Sequence, residues 1–380
     1  MKKTTYSKAF AIILLGVLFG SCKKEPPTSD CACKGSDSTV VKVTILANGL
    51  NNPRGLKFGP DGILYVAEAG IGGTDSSIGK CAQVAFPVGP YLGSPTGGRV
   101  SKINASGTRL TVTDKLPSSK ANEIIGGDIE GVADVAFIGN TMYAVLAGAG
   151  CSHGVPSVPN GVVKINANGS WTMLADLSKW FMTHPTKVVE PADFEPDGTP
   201  YSMINVNDEL IIIEPNHGDM IKVTANGAIS RIVDISATLG HIVPTVVAFH
   251  ENFYVGNLHP FPIVDGISSI YKITPGGKIS TWAAGFNTIL GVVFDDKNRL
   301  YVLENTVGAR GLTPNLGKII RVDPTGAKQI IYSGLNLPTG ITIGPDKNLY
   351  VSNVGIGPTA IGGGQILKIE VTDCDMNKKY

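Results

Sequence analysis

Nowhere does this chain keep apolar residues at a sustained spacing of 3.6, so long helices are excluded; TMLADLSKWFM, residues 172–182, is the one candidate for a short helix. It has no HExxH pair, no P-loop, no dinucleotide fingerprint and no G-x-S-x-G elbow, which removes the commonest motif-borne routes to catalysis. The glycines of AGIGG, Ala69–Gly73, are spaced only for a flexible loop, and the paired carboxylates Asp295 and Asp296 fall in a short turn. Net charge is scarce as well. Discounting Lys2, Lys3 and Lys8 of the leader described below leaves 29 basic residues against 31 acidic ones. Such a balance argues against nucleic acid and against a strongly anionic partner.

What the chain does have is punctuation and repetition. Its 47 glycines and 24 prolines divide short runs rich in Val, Ile and Thr, the pattern of many strands and many turns. PRGLKFGPDGILYVAEAG, Pro53–Gly70, reads as strand, tight turn, strand, and returns near the C-terminus as LPTGITIGPDKNLYVSNVG, Leu337–Gly355. Looser copies begin at Glu130, Thr199, Val243 and Ile289. A third and a fourth strand follow each pair except the last, which stops after GGQILKIEVTD. VVKVTILANG, Val40–Gly49, resembles the outer strands and can supply the missing one. The expected fold is therefore an all-β, six-bladed β-propeller closed by an N-terminal strand, over residues 40–372, with a C-terminal tail of 373–380.

The N-terminal segment reads differently. Its three lysines precede the apolar run Ala9–Gly20, too short to span a bilayer stably, and then Phe19-Gly20-Ser21-Cys22. Residues 1–21 are expected to be a lipoprotein signal peptide, with Cys22 as the lipidation site. Residues 22–39, polar and rich in Pro and Ser, read as a flexible tether. This places the protein in the cell envelope, touching the membrane through its lipid anchor only.

PRGLKFGPDGILYVAEAG with the long loop after it, PDGTPYS, and the series VPTVVAF, YVGNLHPFP and IYKITPGG resemble the ScyD/ScyE family, over nearly all of Val43–Val371. NHL, streptogramin-lyase-like and gluconolactonase-like propellers use similar phrases. The family is named for the biosynthesis of scytonemin, an extracytoplasmic indole–phenol pigment. The resemblance implies an extracytoplasmic propeller acting in late oxidative or assembly steps, and it supplies no catalytic motif to carry over.

Blade topology sorts the loops. Turns inside the hairpins (GPDG, IGNT, NVND, HEN, DDKN, GPDK) share one face; the long connections, 69–96, 148–159 and 258–266, share the other. Long loops on a rigid scaffold are where binding resides. His153, His184, His217, His241 and His259 fall on the long-loop face and His250 on the other. Candidate ligand-binding residues are Arg54, Glu68, Glu214 and His217, with Asn257, His259, Glu304 and Asn353 completing the rim. Tyr91, Phe86 and Phe261 offer stacking surfaces. A divalent metal, Ca or Zn, has Glu68, Asn257, Glu304 and Asn353 as candidate donors. Cys81 and Cys151 are candidates for one disulfide, and Cys374 with Cys33 or Cys31 for another. The favoured function is binding of a small molecule, glycan or envelope protein on the long-loop face. The alternative is an enzyme there, serving an oxidative step of pigment biosynthesis or a metal-dependent lactone hydrolysis.

Overall fold

The structure, a computed structural model, describes residues 39–308 and 311–373; Cys22 and the expected Cys33–Cys374 pair lie outside them. It is an all-β, six-bladed propeller, compact over residues 41–372. Blades begin at strands Pro53–Phe58, Val132–Ile138, Ser202–Val206, Pro244–His250, Ile289–Phe294 and Gly340–Ile343. We number them 1 to 6. The strand Thr39–Leu50 is the outermost of blade 6, beside Gly364–Asp373, and Lys42 reaches Glu370 at 2.9 Å. At both of these strands the end nearer the chain terminus lies on the short-turn face, because Ile369 pairs with Leu349, just after the GPDK turn, whereas Gln365 pairs with Asn353.

Second strands such as Leu64–Glu68 and Leu349–Asn353 are buried at every residue. They read as continuous apolar runs because both faces meet another blade. Tyr301 and Leu303 pack toward blade 6, whereas Leu300 and Val302 pack toward blade 4. Among the described residues an apolar cluster fills each of the six junctions between neighbouring blades, with Ala47, Leu50, Tyr350 and Ile366 joining blade 6 to blade 1, and a small seventh of Val84, Tyr91 and Ala121 underlies the long loop of blade 1. Each buried aliphatic side chain contributes about 1.5–3 kcal/mol, and the ring has no single centre.

The repeated phrase has a local cause. In GPDG, Asp61 accepts the Ile63 N–H and the hydroxyl of Tyr65 at 2.8 Å; in GPDK, Asp346 accepts from Asn348 and from Tyr350 at 2.9 Å. The aspartate closes the turn and takes the tyrosine four residues on, so turn and second strand are specified together. Two expectations need correction. The helix is confined to Leu177–Thr183, capped by Asp176 accepting from Lys179 N, and its expected first turn is part of the strand Trp171–Asp176, which pairs with Gly161–Ile165. Blade 1 gains a fifth, two-residue strand, Ile129–Glu130, and its long strands Leu92–Ile103 and Arg109–Lys120 run past the ends read from the sequence.

Candidate functional site

Four chain segments meet on the long-loop face. Tyr91 comes from the long loop of blade 1, Glu130 from the edge strand of that blade, His153 from the 3-10 turn Cys151–His153, and Glu195 from the connection between blades 2 and 3. His153 and Tyr91 are almost fully buried and Glu195 is 5% exposed, whereas the Glu130 side chain is 22% exposed and reaches the surface. The Nε2 of His153 lies 3.0 Å from Glu195 Oε2 and 3.1 Å from Glu130 Oε2. Tyr91 donates its hydroxyl toward Glu130 Oε1 at 3.1 Å, and its ring leans on the imidazole at 4.6 Å. Half-buried Asp128 and buried Arg54 lie beside the cluster.

Local chemistry holds the histidine. Cys81 and Cys151 form a disulfide across the two loops, and Ser77 donates to the Cys151 carbonyl. Gly150 has φ 94°, and a Cβ there would meet the Asp197 carboxylate at 2.3 Å, so only glycine lets Asp197 accept from Ser152 N and Ser152 Oγ. Breaking the disulfide opens a 70-residue separation in the unfolded chain, worth about 4 kcal/mol in the loop-entropy model. The Cys151→Ser variant is expected to melt several degrees lower and to become protease-sensitive within residues 69–96 and 148–160. A melting point and digestion pattern like the wild type's contradict this.

Charge balance in the cluster is unusual. Burial works against a charged His153, yet hydrogen bonds and attraction to Glu130 and Glu195 prevail and carry its pKa up to about 10. Glu195 is pushed up to about 7, chiefly by burial and then by repulsion from Glu130, with His153 offsetting part. Burial, joined by the neighbouring carboxylates, holds the Tyr91 hydroxyl well above its usual range. Asp128 is raised mainly by burial, against the pull of Arg54.

The acidic strip continues along the face. His217 stacks on Phe181 at 5.0 Å with Nδ1 3.1 Å from Glu214; burial opposes its charge, but Glu214 foremost, and then Asp219 and Glu195, raise its pKa. His241 Nε2 lies 2.7 Å from Asp193. His259, its φ at 72°, has a pKa lowered foremost by burial and then by His241. His184 stacks on Trp180 at 3.7 Å, apart from the cluster, and His250 ends a first strand at the opposite turn. Phe86 and Phe261 are exposed, while Tyr91 is not.

The rim residues singled out in the sequence do other work. Both oxygens of Glu68 lie 2.6 Å from Arg109 Nη2, and one accepts from Asn51 N. Glu304 accepts from Asn287 N, Asn353 from Asn336 N, and Glu214 from Thr199 N and His217 N. Asn257 donates to the Ile242 carbonyl and accepts from Ser269 N. Each therefore latches the end of a second strand, and the backbone groups held lie mostly in the connection that leads into the blade. A cation on the channel axis finds Glu68 facing a guanidinium and the amide oxygens of Asn257 and Asn353 already occupied, so Glu68, Asn257, Glu304 and Asn353 do not fit as a metal set. Arg54 donates to the carbonyls of Gly355 and Ile129, tying blade 6 to the edge strand of blade 1. His153 was marked by its loop; Glu130 and Glu195 were not marked at all. The only available signal was the acidic stretch VVEPADFEPDG, longer than the other connections between blades.

No family model and no curated protein matches the chain. Solved structures do. A structural-genomics protein of unknown function from Bacteroides thetaiotaomicron superposes with a TM-score of 0.57 at 11% identity, over 88% of this chain and 77% of that one. A gluconolactonase from Xanthomonas campestris gives 0.52 at 10%, over 87% and 90%. The PQQ-bound form of an aldose sugar dehydrogenase from Streptomyces coelicolor gives 0.51 at 13%, over 88% and 99%. A protein described as a gluconolactonase is among its other structural neighbours. At these identities the likeness is one of fold.

Proposed function

We propose that the protein binds a small, neutral, hydroxyl-rich molecule, of the sugar or polyol class, on its long-loop face. One observation carries this reading: Tyr91, Glu130, His153 and Glu195, from four separate segments, converge in a nearly closed cluster that pairs no strands. A scaffold gains nothing from burying four ionisable groups, and carboxylates with acceptor capacity to spare suit hydroxyl donors. Exposed Phe86 and Phe261 supply apolar surface on the same face.

The test is a titration of the full chain with a panel of neutral mono- and disaccharides and their lactones, followed by ligand-observed NMR. Binding is expected to weaken at least about tenfold in Glu195→Gln, the loss of one charge-assisted hydrogen bond, with circular dichroism unchanged. A groove of about 550 Å³ on the short-turn face, lined by Asp61, Lys102, Phe137 and Asn140 among others, is the natural control. Binding that survives Glu195→Gln but is lost in Lys102→Ala overturns the assignment, as does a panel without a binder.

The location is part of the same proposal. A disulfide between Cys81 and Cys151 supports an oxidising compartment, in keeping with an envelope lipoprotein bearing lipid on Cys22 and with membership of the ScyD/ScyE family.

A further inference from the structure

The distances in the cluster are those of a coordination shell. His153 Nε2, Glu130 Oε2 and Glu195 Oε2 offer one nitrogen and two oxygens, within 4.8 Å of one another, with two separations of 3.0 and 3.1 Å. Around an ion with bonds of about 2.1 Å, adjacent ligand atoms of an octahedron stand about 3.0 Å apart. Two of the three edges already have that length.

Hydrogen bonding points the same way. Ser152 Oγ has a single proton and gives it to Asp197 Oδ2 at 2.6 Å. Its 3.3 Å contact with His153 Nδ1 is therefore one in which the imidazole donates. With Nδ1 so engaged, Nε2 is the nitrogen that faces the two carboxylate oxygens, and an ion seated there takes the place of its proton. A hydroxyl–carboxylate relay behind Nδ1 is the outer shell that metal-binding histidines carry. Of the two oxygens only Glu195 Oε2 meets Nε2 in hydrogen-bond geometry, and buried Glu130 Oε2 has no donor aligned on it. The partly exposed Glu130 side chain marks the way in.

We infer that Glu130, His153 and Glu195 bind one divalent transition-metal ion of the Zn²⁺ or Mn²⁺ class. The imidazole nitrogen selects against Ca²⁺ and Mg²⁺, which prefer all-oxygen shells. Three protein donors leave coordination positions open toward Glu130, where hydroxyls of a ligand can enter. The inference deepens the reading above and rests on the same face being the working one.

The experiment uses untagged full chain, stripped with EDTA, dialysed, and titrated calorimetrically with Zn²⁺, Mn²⁺, Ca²⁺ and Mg²⁺; Co²⁺ uptake is followed by visible absorption. Expected are one Zn²⁺ or Mn²⁺ per chain, Ca²⁺ and Mg²⁺ at least about 100-fold weaker, and d–d bands from Co²⁺. Glu130→Gln, at the least buried ligand, is expected to cost at least about 100-fold in Zn²⁺ affinity, since outer-shell changes alone cost up to that much, with its melting point near wild type. Glu195→Gln repeats the test at a second ligand. No stoichiometric uptake by the wild type, or uptake untouched by both substitutions, overturns the site. Metal uptake without sugar binding leaves the site standing and removes the ligand; sugar binding indifferent to EDTA removes the link between the two.

Discussion

A chain beginning at Asn51, without the strand Thr39–Leu50, is expected to lose cooperative unfolding and to elute as soluble aggregates. The deletion removes fully buried Leu50, buried Ala47 and half-buried Leu46 from the junction of blades 6 and 1, and half-buried Val41 and Val43 from the junction of blades 5 and 6. It also bares the strand Gly364–Asp373, whose unpaired backbone groups then form an open edge. Leu50→Ala grades the same effect: a fully buried leucine truncated in a packed core costs about 3 kcal/mol, read as a lower urea midpoint at unchanged slope. Size-exclusion chromatography and urea unfolding decide the matter. A monomeric truncation that melts like the parent shows that the ring does not need its N-terminal strand.

Glu68→Ala is expected to destabilise the fold by about 3 kcal/mol, the cost of stranding one partner of a buried ion pair. Glu68 has no exposed surface. It holds Arg109, which also donates to the Gly49 carbonyl of the closing strand at 2.7 Å, and it takes the N–H of Asn51. Its loss therefore loosens blade 1 and the closure together. A fall in melting temperature of about 5–10 °C is anticipated from that free energy. Glu68→Gln keeps an acceptor for Asn51 and is expected to fall less. The cycle with Arg109→Ala should show strong coupling. This result separates a latch from a ligand contact: a ligand-binding glutamate leaves stability almost unchanged when truncated and weakens only binding.

These two positions show how far the sequence could be read. The six units, the closure by Val40–Gly49 and the division of the loops between two faces followed from the strand–turn–strand phrase, because Asp61 with Tyr65 and Asp346 with Tyr350 write a local hydrogen bond directly into the pattern. The roles of Glu68, Asn257, Glu304 and Asn353 did not follow. All four take a backbone N–H, from 17 residues upstream or 12 downstream, and a backbone group leaves no mark on composition. A recurring Glu or Asn at a strand end thus looks the same whether it latches a loop or waits for a ligand. Glu130 and Glu195 escaped for the opposite reason. They lie in segments without periodicity, and only the three-dimensional path of those segments brings their carboxylates to one imidazole.

Strand direction in blade 6 carries a practical consequence. Val41 and Thr372 both stand at the short-turn side, since their strands run alongside each other and Ile369 pairs with Leu349. Anything joined directly at Val41 or Thr372 therefore meets the ring on the short-turn side, and the rim with Glu130 and His153 is the opposite one.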